Sequence, residues 1–269
     1  LSRRWSMFNP DLQQVSEIIA RVSREEVLPR FQHLSVSDID TKGSDEDLVT
    51  TADVETEKRL TRELTALMPD SVVVGEEAAF KDPSVLDHLT GDRPVWIIDP
   101  VDGTMNFAYG RSEIGVVVAL VYKGETVAGW LYNPVYKRMI MGEKGGGAWF
   151  EDKRLKVAAV TELHKMTGVV GRHVAFKDER LPKPVWWGSA SFDYMLVVSG
   201  GVHYSAYRTR TIKPWDHAAG VMLHAEAGGY TAYVDGTPYA PVMGMKHLIS
   251  APDKDAWEYL KNNLRAKID

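Results

Sequence analysis

The chain has 269 residues, with 32 Lys+Arg against 37 Asp+Glu for a net charge of −5, and is 44% hydrophobic, 26% charged and 10% aromatic. That size and balance describe one large domain or two subdomains with an ample core. They exclude disordered, collagen-like and coiled-coil chains, and they give no basic excess for a nucleic-acid partner.

The chain contains no cysteine, which removes disulfides, thiolate catalysis and sulfur-ligated metals and favours a reducing compartment. The first residues, Leu-Ser-Arg-Arg-Trp-Ser-Met, have no apolar run behind the arginines, so a secretory signal is not expected and a cytoplasmic location is. An amphipathic helix is predicted from Pro10 to Leu28, where Leu12, Val15, Ile19 and Val22 recur at helical spacing. Ser35–Asp47 is polar and acidic and reads as an exposed loop. A second helix follows Thr50 with Leu60, Leu64 and Leu67 as its apolar stripe. Ser71–Gly75 and Val95–Ile98 are short strands, each followed at once by carboxylates. The run Ile114–Val121 is far shorter than the roughly 20 residues of a membrane helix and reads as a buried strand, so no membrane partner is expected.

From Glu113 to Val157, turns at Lys123-Gly124, Asn133-Pro134, Gly145-Gly146-Gly147 and Asp152-Lys153 separate several strands, an antiparallel meander. Two helices followed by such a meander indicate an α+β fold. The C-terminal third alternates: strands near Val169, Tyr204 and Tyr230–Val234, and helices over Ser191–Ser199, Trp215–Ala227 and Ala256–Ala266. The expected division is an N-terminal half, residues 1–157, and a C-terminal half, residues 158–269, sharing one long interface.

The densest chemistry is Trp96-Ile97-Ile98-Asp99-Pro100-Val101-Asp102-Gly103-Thr104-Met105-Asn106-Phe107. An apolar strand delivers Asp99, proline fixes a turn, and Asp102 follows; carboxylates this close repel unless a cation lies between them. Oxygen-rich ligation of that kind suits Mg²⁺. A helix starting at Gly103 would offer free N–H groups to an anion. Asp-Gly is also an ordinary turn, and Asp216 in Trp215-Asp216-His217-Ala218-Ala219-Gly220 alone reads as an N-cap. Together with Gly75-Glu76-Glu77, however, three acidic clusters stand at strand ends or helix starts, a better match to a site.

The trio G-E-E, D-P-V-D-G-T-x-N-F and W-D-x-A-A-G resembles the inositol monophosphatase family of metal-dependent phosphatases, over most of the chain. The resemblance implies a layered α-β-α-β-α sandwich of the inositol monophosphatase and sugar phosphatase type, with metals at the junction of the halves. It implies two or three Mg²⁺: Glu76, Asp99 and the carbonyl of Val101 would hold one, and Asp99, Asp102 and Asp216 a second. A third would sit beside Glu76. Thr104, Asp53 and Glu76 would direct the attacking water, and Gly103 and Thr104 would hold the phosphate through N–H groups. Lys42 matches a basic residue near that phosphate, and Gly188, Ser189 and Ala190 match the turn that meets the alcohol half. The implied activity is Mg²⁺-dependent hydrolysis of a small phosphorylated metabolite by a homodimer sensitive to lithium. A bisphosphate, nucleotide 3′-phosphate or histidinol phosphate remains an alternative substrate, and a non-catalytic binding protein an alternative class; the intact acids argue against the latter.

One segment departs from the family. Inositol-hydrolysing members place a glutamate seven residues before the metal aspartate, where this chain has Thr209 between Arg208 and Arg210. Planar guanidinium donors favour a carboxylate or second phosphate over a neutral polyol, so free inositol monophosphate is not expected to be the best substrate. Gly145-Gly146-Gly147 reads as a hairpin turn, and His217 and His224, at i and i+7, read as packing residues rather than a zinc pair.

Overall fold

The strand that carries the paired aspartates is buried along its whole length. Val95–Asp102 (β4) alternates Val95 and Ile97 into one core and Trp96 and Ile98 into another, the period of two expected of a strand covered on both faces. The structure is a computed structural model and describes residues 10–33, 39–41, 48–160, 162–244 and 247–265.

On one side of β4 lie the two predicted helices. Leu12–Val22 (α1) is capped by Asp11, whose carboxylate accepts from Gln13 and Gln14 N–H, and it runs on through a π-helical turn, Ser23–Val27. Ile39–Thr41 (β1), within the expected loop, pairs antiparallel with Leu48–Thr50 (β2) just beyond it; Lys42 lies outside the described residues. Thr51–Leu67 (α2) then packs Leu60 and Leu64 against Trp96 and Ile98.

The large sheet has seven strands in chain order: Val72–Gly75 (β3), β4, Gly115–Tyr122 (β5), Glu125–Asn133 (β6), Arg138–Glu143 (β7), Gly147–Phe150 (β8) and Lys153–Arg154 (β9). Only β3 and β4 are parallel; the rest form the predicted meander. Two short helices, Glu76–Lys81 (α3) and Thr104–Ala108 (α4), leave the ends of β3 and β4. The aspartate strand runs four residues beyond its predicted end at Ile98: its pairing to β5 is irregular between Asp99 and Asp102, and this bulge accommodates Pro100.

The smaller sheet orders Gly168–Val170 (β10), Tyr204–Arg208 (β11), His247–Ala251 (β13) and Tyr230–Tyr233 (β12), with β10 and β11 parallel. Between the sheets lie Ala190–Val198 (α5) and Pro214–Glu226 (α6), and Lys254–Asn263 (α7) covers the far face. Val169, Tyr207 and Leu248 point toward the helices between the sheets, while Val170, Ala206 and Ile249 join the α7 core. The order is helices, sheet, helices, sheet, helix, an α-β-α-β-α sandwich. The strand β13 is absent from the sequence reading: buried on both faces and only five residues long, it shows no polar alternation. No helix among the described residues is long and apolar enough to cross a membrane.

Candidate active site

The carboxylates converge because β3 and β4 are parallel neighbours in the register Gly75↔Ile98, so both strands end on the same side. Glu76 opens α3 just past Gly75, and Asp99 and Asp102 leave β4 across its bulge. Asp216 comes from the first turn of α6. It is not the cap, which is Lys213, so its carboxylate is left to face the others. One oxygen each from Asp99, Asp102 and Asp216 lie within 4.8 Å of one another. Lys213 Nζ stands 3.6 Å from Glu76 Oε1.

This arrangement is electrostatically costly. Burial, then the charges of Glu76, Asp102 and Asp216, raises Asp99 well above the ordinary carboxylate range. Asp216 is pushed up to about 7 by burial, against the opposing effect of Lys213. Asp102 is raised by burial but held down by its donors: Oδ2 accepts from Ser189 Oγ (2.5 Å), Ser191 Oγ (2.6 Å) and Ser191 N–H (2.7 Å), and Oδ1 from Ala190 N–H (3.2 Å). Asp102 thus anchors the start of α5, and Ser189, which also accepts from Phe192 N–H, caps that helix. Asp99 Oδ1 is buried with no hydrogen-bond donor. An all-oxygen, mutually repelling donor set with an orphaned buried carboxylate oxygen fits a hard divalent cation.

Beside the acids, Thr104 Oγ1 lies 3.2 Å from Asp53 Oδ1 and 3.0 Å from the Val101 carbonyl. Asp53 Oδ2 accepts from both Thr50 N–H (2.8 Å) and Thr50 Oγ1 (2.5 Å), so Asp53 starts α2 and reaches the site at once. Its burial raises it to about 7. Gly103 has φ +81°, and an added Cβ would stand 3.0 Å from both the Glu113 carbonyl and Ser189 Cβ, so only glycine makes this turn.

A cavity of about 450 Å³ collects most of the predicted site residues. Glu76, Asp99, Val101, Asp102 and Asp216 line it, as do Gly103 and Thr104, and Gly188, Ser189, Ala190, Arg208 and Thr209. Asp53 stands behind Thr104; Arg210 is not in the lining. Three kinds of residue were not singled out from sequence. Glu57 on α2 accepts from Glu77 N–H (2.7 Å) and Ala78 N–H (2.8 Å), fixing the helix that begins with Glu76. Asn106 Nδ2 donates to the Glu113 and Trp187 carbonyls at 2.7 Å each, tying the loop after α4 to the turn before α5. Arg111, Arg172 and His173 complete the wall. Asn106 stood in the motif; the others carry no local signal. His217 and His224 are packed: Tyr194 Oη lies 3.0 Å from His217 Nδ1, and Thr231 Oγ1 lies 3.0 Å from His224 Nδ1.

Fold and site together define a metal-dependent hydrolase acting at phosphate. The model of the inositol monophosphatase family matches residues 11–268, and the chain belongs to that family, a group of phosphoric monoester hydrolases. A protein of Thermotoga maritima named fructose-1,6-bisphosphatase/inositol-1-monophosphatase is 33% identical over 201 residues, 72% of this chain and 74% of its own length. An inositol-1-monophosphatase of Caulobacter vibrioides is 31% identical over 251 residues, 88% of this chain and 94% of its own. Among solved structures, a Thermotoga maritima IMPase superposes with a TM-score of 0.77 at 27% identity, covering 90% of this chain and 91% of that one.

Proposed function

We propose that this chain hydrolyses a small phosphate monoester, an inositol-phosphate-type or related sugar phosphate, with Mg²⁺. The observation that carries the reading is the convergence of Asp99, Asp102 and Asp216 within 4.8 Å beside the Thr104–Asp53 pair. Glu76, Asp99 and the Val101 carbonyl would hold one cation, and Asp99, Asp102 and Asp216 another, two or three ions in all. Such cations supply charge neutralisation and a more acidic water. Residues 1–157 then carry most of the ligands, and residues 158–269 supply Asp216 and the substrate side. The sequence resemblance also supports a homodimer, which light scattering would test.

The protein groups have separate tasks. N–H groups of Gly103 and Thr104 bind phosphoryl oxygens at the start of α4, where no side chain caps the helix. Thr104 Oγ1 accepts a hydrogen bond from the attacking water while donating its own to Asp53 Oδ1. Asp53, raised to about 7 by burial, takes up the proton. Glu76 orients the same water from the end of the neighbouring strand, β3. Gly188, Ser189 and Ala190 position the alcohol half, and Arg208 and Thr209 stand where that half must extend.

The test is phosphate release from p-nitrophenyl phosphate with and without Mg²⁺, for the wild type and Asp99→Asn. Release should depend on Mg²⁺ and fall at least about a hundredfold in the variant, on the scale of lost metal-site electrostatics. Equal release by both proteins would sink the assignment.

A further inference from the structure

Lys213 occupies a position that local helix chemistry does not favour. It is the N-cap of α6, with an extended backbone (φ −88°, ψ 138°) ahead of Pro214, and no side chain caps that helix. Caps favour Ser, Thr, Asp or Asn, whose oxygens accept the free N–H groups, and the positive end of a helix repels an ammonium. A residue that breaks a local rule has its reason beyond its own helix. Here the reason is the acids. Lys213 Nζ stands 3.6 Å from Glu76 Oε1, with side chains 38% and 13% exposed. Its charge also acts on Asp216, three residues on, lowering a carboxyl that burial raises. Behind it lies Trp215, a core residue whose ring centroid is 5.7 Å from Nζ and gives the ammonium a rigid backing. Lys213 lines the catalytic cavity together with Glu76, Asp99 and Asp216.

This placement acts in two directions. Without a divalent cation, the ammonium offsets part of the repulsion between Glu76 and Asp216, two acids brought together from α3 and α6. With a divalent cation on the same oxygens, the ammonium becomes a like charge beside it. Two positive groups cannot share Glu76 at contact distance without repulsion, and a partly buried site screens that repulsion less than water does.

We propose that Lys213 is a resident counter-cation of the metal site: it pairs with Glu76 while the divalent ion is absent, yields that carboxylate when the ion is taken up, and so sets the Mg²⁺ concentration at which the site fills. This rests on the metal-dependent phosphatase reading and gives a task to a residue outside its ligand set. Lys213 trades cation affinity for stability of the metal-free protein.

The experiment measures the Mg²⁺ dissociation constant of the full chain by isothermal titration calorimetry, without substrate and at constant ionic strength, and the melting temperature in EDTA. The proteins are the wild type, Lys213→Gln, Lys213→Met and Lys213→Arg. Both neutral variants should bind Mg²⁺ about three- to tenfold more tightly, the scale of one partly exposed charge pair, and should melt a few degrees lower in EDTA. Lys213→Arg keeps the charge and should bind Mg²⁺ as the wild type does. Tighter binding by a less stable protein is not the mark of a lost structural contact, which would lower the melting temperature and leave the affinity unchanged or weaker. Affinity unchanged or weakened in the neutral variants, or tightened equally in Lys213→Arg, would overturn the proposal. Gln and Met are different enough in polarity that either variant decides the matter if the other fails to fold. A wild type that binds no Mg²⁺ would instead refute the metal-site reading itself.

Discussion

Asp99 is the residue on which function and stability pull hardest against each other. It is 2% exposed, faces Glu76, Asp102 and Asp216, and keeps Oδ1 without a donor. Without a cation, such a group destabilises the folded chain, because burial and like charges both penalise its ionised form. Asparagine has nearly the same shape and no charge. Asp99→Asn should therefore stabilise the metal-free protein by about 1–2 kcal/mol, raising its melting temperature by a few degrees, while abolishing most of the turnover. Melting curves in EDTA would read this directly. A variant less stable than the wild type in EDTA would show that Asp99 is a structural acid.

Two helices extend the same logic to whole elements. The N-terminus of α3 is capped from α2, with Glu57 accepting from Glu77 and Ala78 N–H, and the helix begins with Glu76. Gly75 makes this possible: a Cβ there would lie 2.2 Å from the Glu57 carboxyl carbon. Glu57→Ala should cost about 1 kcal/mol as a lost cap and raise the Mg²⁺ concentration for half-maximal activity about 10–100-fold, as loss of a ligand's support does. An unchanged Mg²⁺ requirement would separate Glu57 from the site. In α6, His224 is fully buried; Thr231 Oγ1 donates to Ser250 Oγ and so accepts from His224 Nδ1, leaving Nε2 unprotonated without a partner. Burial pushes its pKa down to about 4. The unfolded chain binds this proton below roughly pH 6.5 and the folded chain only near pH 4, so stability falls as pH drops through that window, by up to ~1.4 kcal/mol per unit. Urea unfolding of the wild type and His224→Phe at pH 7 and pH 5 should isolate this contribution: the wild type should lose stability relative to the variant as pH falls, while the buried acids Asp53 and Asp216, which act in the opposite sense, are common to both proteins.

For the molecule as a whole, what was legible in the sequence is what is local. The Asp99–Phe107 string holds strand, turn, glycine and helix start within a few residues, so its chemistry can be read without knowing the fold. Helices with one apolar stripe, such as α1 and α2, were equally plain. β13 and Glu57 were not, because each acquires its meaning from residues distant in the chain: β13 from burial between β11 and β12, and Glu57 from α3. The metal site is itself long-range. Asp99 and Asp102 belong to the large sheet, while Asp216 belongs to α6, which packs against that sheet on one side and β12 on the other. A cation held by all three ties these layers together and binds only when they are assembled. Mg²⁺ at about 100 times its dissociation constant should then add ~2.7 kcal/mol of stability, a rise in melting temperature of roughly 5–10 °C. EDTA should reverse the shift, and Asp216→Asn should lose most of it. Because α6 contacts both sheets, the shift should appear in a single transition; two transitions, with only one responding to Mg²⁺, would mean that the sheets unfold separately and that the ion does not bridge them.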